Sequence, residues 1–200
     1  DLNLHSILLE NGWSRTFFKM QIQNLISNET RVLIADKLSS LGLAIFGNYE
    51  WLNAVAYHSS ILEDFRDGKV ISSHDDIMEI YNSSKICINA PQVQSGSALP
   101  FRVMDIMASD ALLITQYHPE SDIFSIFGKE CPVVMYKNLD ELSELCEYYL
   151  SHEDERIRLV RLCNEMVRNG FDFRDRCLDI LKLVGISAPS NQSMTGNIEY

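Results

Sequence analysis

The chain has 200 residues, 46% of them hydrophobic, and a formal net charge of −11. That composition builds one globular domain with a substantial core, and its acidity argues against nucleic acid or an anionic membrane as the main partner, since both need a broad basic surface. No run of 18 apolar residues is present, so no integral membrane segment is expected.

Residues 13–26 and 29–41 read as two helices. In the second, Val32, Leu33, Leu38 and Leu41 supply the apolar face and Gly42 ends it. LAIFG at 43–47 is a buried strand by length and composition, followed by the loop Asn48-Tyr49-Glu50. A second short strand is expected at 69–72 and a helix at 75–83 with two acids in its first turn. A third strand at 86–89, a helix at 100–109 and a fourth strand at 112–115 come next, and a short helical segment around 119–127 leads to a fifth strand at 132–136. Asn138 caps a helix that has Glu141 at its third position, a capping box, with Leu142, Leu145, Cys146 and Tyr149 as its buried stripe. Helices at 154–169 and 172–184 complete the order, the latter with Phe173, Cys177, Ile180, Leu181 and Val184 spaced as a core stripe. Strands alternating with helices predict an α/β fold: a Rossmann-like parallel sheet with helices on both faces and extra helices at the C-terminus. The division expected is a helical segment or linker at 1–28, the sheet-bearing domain at 29–185 and a loose polar tail at 186–200. A sequence starting at Asp1 without a charged-then-apolar leader reads as a processed or, in preference, an excised piece.

The stretch KICINAPQVQSGSALPFRVMDIMASDALLIT, 85–115 with Lys85 at its head, carries the most chemistry. A strand runs into a polar loop, then into a helix bearing Arg102 and Asp105, then into a second strand. In α/β sheets ligands bind in the crevice at the carboxyl ends of strands, beside helix N-termini. Helical side chains lean toward the N-terminus, so Arg102 is expected to reach back over Gln94, Ser95, Gly96 and Ser97. A diphosphate there would meet backbone N–H groups, serine hydroxyls and a forked guanidinium, with the Asp105 carboxylate one turn deeper for ribose hydroxyls. The plain alternative is a local Arg102–Asp105 ion pair. Against it stands the apolar character of the rest of the helix (Phe101, Val103, Met104, Ile106, Met107), in which a charged pair needs partners.

Tyr81, Ser-Ser-Lys-Ile, Ile-Asn-Ala, then Arg-x-x-Asp-x-x-Ala-Ser and Leu-Ile-Thr together resemble the C-terminal domain of group 1 (GT-B fold) glycosyltransferases, in particular the CgeB-like branch. The resemblance covers roughly residues 30–182 and includes IFGNYEW, DELSELCEYYLSHEDER and the terminal FDFRDRCLDIL. It implies a nucleotide-sugar as donor substrate, and an acceptor-binding N-terminal domain that is absent from this chain. It also implies Arg102 as the group that stabilises the leaving diphosphate. Gly47 and Asn48 match a loop the family uses near the donor phosphates, where a glycine would let backbone approach a ligand, although a strand-ending Gly is also a simple turn. His74 falls where relatives place the nucleobase; it also reads as the plain start of the next helix. Trp51 reads as packing more than as a cleft wall. The family's Glu-x7-Glu motif places its second acid on Asp105 but its first on Ser97, and this departure leaves donor sugar and stereochemistry open.

Five scattered cysteines (87, 131, 146, 163, 177) read as reduced core residues of a cytoplasmic protein. Histidines without metal-ligand spacing and the lack of Asp-x-Asp predict that no metal and no further cofactor is needed. The arginines at 156, 158, 161, 168, 174 and 176 alternate with acids and read as a solvated helix face. Gly-x-Gly-x-x-Gly is absent, against an ordinary dinucleotide-dependent oxidoreductase, and no Ser-His-Asp or Cys-His set can be assembled. Two rivals stay open: a flavodoxin-like or receiver-like module that binds a partner protein, and a non-catalytic glycosyltransferase-like domain. A receiver needs acids after its first strand, where Gly47-Asn48 stands instead.

Overall fold

The computed structural model describes residues 6–8, 10–55, 57–66, 71, 73–95, 97–169, 171 and 173–186. Helices α1 (Arg15–Leu38), α2 (Leu52–Val55), α3 (Ile61–Asp64), α4 (His74–Ser83), α5 (Phe101–Met107), α6 (Asp122–Phe127), α7 (Leu139–Ser151), α8 (Glu153–Arg168) and α9 (Phe173–Leu183) alternate with five short strands. These are β1 (Ile45–Phe46), β2 (Phe65–Arg66), β3 (Ile86–Asn89), β4 (Leu112–Gln116) and β5 (Val134–Tyr136). Every strand pairing among the described residues is parallel, and helices cover the sheets, as the α/β expectation required.

Among the described residues the strands form two ladders rather than one: β1-β2, and β3-β4-β5 with β4 central. Among the described residues β1 and β2 pair over two positions, Ile45 with Phe65 and Phe46 with Arg66. The expected strand at 69–72 falls mostly outside the described residues, and the strand paired with β1 is instead Phe65–Arg66. Central β4 reads as an unbroken apolar run because both of its faces are covered. Leu112 and Ile114 face a cluster with Ile34 and Leu38 of α1, Leu142 and Cys146 of α7, and Leu159 of α8. Leu113 faces the other way, toward Val103, Ile106 and Met107 of α5 and Cys163 of α8. That alternation is the two-residue period of a strand.

Three further expectations change. The two helices expected at 13–26 and 29–41 are one helix, α1, followed by a 3-10 turn at Ser39–Leu41. At the expected gap the hydroxyls turn back onto the helix's own carbonyls and so cap no new helix there: Ser27 Oγ donates to Gln23 O at 2.8 Å and Thr30 Oγ1 to Ile26 O at 2.8 Å. Gly42 ends the element with φ +78°, as expected of a left-handed terminator. The stripe on α9 is not core: Cys177 is exposed, and Ile180 and Val184 are 59% and 61% exposed. Periodicity marks a stripe but does not supply the element that covers it. Finally, Arg156 leaves the solvated arginine face: it is 7% exposed, with Nη1 donating to Lys85 O at 3.3 Å. At α7, Asn138 accepts from Glu141 N at 2.9 Å as expected, while the Glu141 carboxylate reaches one residue further back, to Lys137 N at 2.7 Å.

Candidate functional site: the carboxyl ends of β3 and β4

β3 ends on Asn89, a polar residue that is only 3% exposed. Its register partner on β4 is Thr115, also buried, and Asn89 Nδ2 donates to Thr115 Oγ1 at 2.9 Å. With its amide nitrogen committed across the ladder, Asn89 turns its oxygen to Arg102: Nε donates to Oδ1 at 2.7 Å. Arg102 Nη2 adds a longer bond to Ala90 O at 3.4 Å. Asn89 and Thr115 were not singled out by sequence reading. The signal was there, in a polar residue closing each of two adjacent apolar runs.

Arg102 therefore anchors on the strand end and not over the 94–97 loop as the helical lean suggested. A hydrogen-bond acceptor on the strand outweighs the default side-chain direction. Nor does it pair with Asp105: among the described residues neither group belongs to an ion pair, so the local Arg102–Asp105 bridge is not formed. Two of the five guanidinium N–H donors are used by Asn89 and Ala90. Burial pulls the Arg102 pKa below its usual value; the nearby Arg31 cation lowers it further and Tyr81 opposes both. Burial pushes the Asp105 carboxyl up, against the pull of His74. Half-buried Tyr81, on α4, is pushed up chiefly by burial, then by Cys87 and Asp105, and Arg102 pulls it down. Arg102, Asp105, Tyr81 and His74 thus form one electrostatic neighbourhood between α4 and α5, which Arg31 joins from α1.

The rest of the expected set divides. His74 is the exposed first residue of α4, the plain reading of that position, and is still close enough for Asp105 to feel it. Gln94 and Ser95 lie in a 3-10 turn, Val93–Ser95, that docks on α1: Val93 N donates to Ser27 Oγ at 3.0 Å and Gln94 Nε2 to Asn24 Oδ1 at 3.3 Å. Ser97 is half-buried, and its carbonyl accepts from Asp122 N at 2.9 Å, at the start of α6. Gly96 lies outside the described residues. Gly47 and Asn48 follow β1, in the other ladder. The space above Gly47 is filled by protein: a Cβ there would stand 2.7 Å from Trp51 Nε1 and 2.8 Å from its Cδ1. Trp51 also packs on the Ala35–Ile45–Ile61 cluster, the packing role expected of it. Phe101, counted with the apolar surroundings of Arg102, is 80% exposed.

Two open grooves of the described surface lie elsewhere, beside Lys85 and Asp110 and along α8, at the amino ends of β3 and β4. They are shallow, and strand-end chemistry in a parallel sheet gathers at the carboxyl ends, where the buried polar set Asn89–Thr115–Arg102 is found. Among the described residues no three His, Cys, Asp or Glu side chains group as metal ligands. No helix among them is long and apolar enough to cross a membrane. Neither a curated protein nor a solved structure matches the chain. A family model described as "Glycosyl transferase-like" matches residues 30–182, more than half of the chain, from within α1 to the last turn of α9. By that match the chain belongs to the glycosyl transferase-like family.

Proposed function

We propose that the chain is the donor-binding, C-terminal half of a GT-B glycosyltransferase of the CgeB-like branch, which transfers a sugar from a nucleotide-diphosphate donor without a metal. The observation that carries this reading is Arg102, fixed by Asn89 and Ala90 at a strand's carboxyl end and without an acidic partner among the described residues. A half-buried cation of that kind is suited to an anionic ligand. In the transfer, the bond from the sugar's anomeric carbon to the β-phosphate oxygen breaks with its electron pair on that oxygen. The new bond forms from the acceptor's hydroxyl oxygen, whose proton leaves to a base in the acceptor-binding domain. Arg102 would stabilise the charge that grows on the departing diphosphate, and Asp105 would accept hydrogen bonds from the ribose. The lack of Asp-x-Asp and of metal-ligand spacing in the sequence supports the metal-free mode and no further cofactor. A cytoplasmic location fits a soluble nucleotide-sugar donor.

Calorimetric titration with a panel of nucleoside diphosphates in EDTA tests the reading. Binding is expected without magnesium. Binding that appears only after a divalent metal is restored would overturn the metal-free assignment, and no binding in either condition would overturn the donor site. One observation favours a second reading, a non-catalytic glycosyltransferase-like module: Ser97 stands where relatives carry the first acid, and its backbone is engaged by α6. In that case diphosphate binding persists without turnover when the acceptor half is supplied.

A further inference from the structure

We propose that Arg31 of α1 is the second cationic arm of this site, closing with Arg102 on the phosphates of a nucleoside diphosphate. The identity of the anion rests on the donor reading above; the existence of an anion site does not. Residues 24, 27 and 31 fall on one face of a helix. The first two of them grip the loop after β3: Asn24 takes Gln94 Nε2 at 3.3 Å, and buried Ser27 takes Val93 N at 3.0 Å. Arg31 lies four residues, about 6 Å, further along that same face. Arg102 meanwhile is tied to Ala90, and the three residues from Ala90 to Val93 span at most about 10 Å. The α1–loop contact thus sets Arg31 within electrostatic reach of Arg102, whose pKa it lowers.

The pairing is unfavourable as it stands. Both arginines are half-buried, and the Arg31 cation depresses the Arg102 pKa. Among the described residues neither arginine belongs to an ion pair, and Arg31 makes only a 3.5 Å bond to Asn28 on its own helix. An anion between them relieves the repulsion and supplies acceptors to both forks. Two adjacent phosphates offer one acceptor set to each.

The test titrates a panel of nucleoside diphosphates, the matching nucleosides and inorganic pyrophosphate against wild type, Arg31→Ala, Arg31→Lys, Arg102→Ala and Arg31→Ala/Arg102→Ala, with melting temperature as the folding control. Arg31→Ala is expected to weaken nucleoside diphosphate and pyrophosphate by about tenfold or more, as loss of a charge-assisted contact implies, and to leave nucleoside unchanged. Arg31→Lys recovers part of the loss, and it carries the test if the alanine variant does not fold. The double variant loses less than the product of the single losses, because both arms hold one ligand. Unchanged diphosphate and pyrophosphate affinity in a folded Arg31→Ala overturns the clamp while the donor reading stands. If wild type binds pyrophosphate through Arg31 but no nucleoside diphosphate, the clamp stands and the donor reading falls. If wild type binds neither, both fall.

Discussion

The two ladders end in opposite ways. After β1 the chain places a glycine, and the space that a glycine leaves open is filled by the Trp51 indole, which joins an apolar cluster with Ala35, Ile45 and Ile61. After β3 the chain places a buried asparagine, and the hydrogen bonds it makes run across the ladder to Thr115 and outward to Arg102. A strand end becomes a candidate site when its polar groups are held in place with donors to spare. A small residue there is not enough, since the protein's own side chains compete for the room. From the sequence Gly47 and Arg102 looked like two halves of one crevice; the structure gives a reason to weigh them separately.

The largest effect that would sharpen this comparison lies at Arg102. Arg102→Ala should weaken a nucleoside diphosphate by roughly ten- to a hundredfold, a charge-assisted contact of about 1.5–3 kcal/mol, with little change for the bare nucleoside. Asp105→Asn should weaken both ligands alike, because both carry the ribose. Equal small losses in both variants for both ligands would reduce the β3 end to structure.

Gly47→Ala probes the other end and should cost about 1–3 kcal/mol of stability through overpacking against Trp51. Its signature is a lower melting temperature with unchanged diphosphate affinity once folded. A selective loss of binding without loss of stability would restore Gly47 to the site and erase the contrast.

Tyr136 is a smaller test of the same principle, that a buried polar atom needs a partner. Its hydroxyl is buried without a hydrogen bond among the described residues, in contrast to Asn89. Tyr136→Phe should be neutral or stabilising by up to about 1 kcal/mol, whereas Asn89→Ala should destabilise. Urea titrations of the two variants check this, and a large loss in Tyr136→Phe would reveal a partner for the hydroxyl.

The smallest effect is alkaline. Burial pushes the thiols of Cys87 and Cys146 up to about 11 and that of Cys163 up to about 12. Their folded values lie above the ordinary thiol value, so the stability tied to the protonated form is complete below about pH 9. It is lost as pH rises through 11 to 12. Melting temperature should fall across that window, and Cys146→Ala should flatten the fall. At pH 8, exposed Cys177 should be the thiol that a disulfide reagent modifies ahead of these three. Fast labelling of Cys163 in native protein would show that the sheet's second face opens.

Element order from residue 74 onward, parallel pairing, the caps at Gly42 and Asn138, the both-sided burial of β4 and the glycosyl transferase-like family could all be read from the sequence. Each depends on local periodicity, on terminator chemistry, or on an ordered set of short motifs. The position of Arg102 was legible too, but its partner was not. Helical geometry fixes where a side chain starts, whereas its end point goes to the best acceptor in reach, and Asn89 is 13 residues away in sequence. For the same reason the approach of Arg31 to the β3 end could not be read along the chain. It exists because Ser27 and Asn24 meet a loop 66 and 70 residues distant. What covers a stripe or fills the gap over a glycine also depends on contacts between remote segments. Hence Trp51 over Gly47, buried Arg156 and the bare face of α9 were left for the tertiary structure to decide.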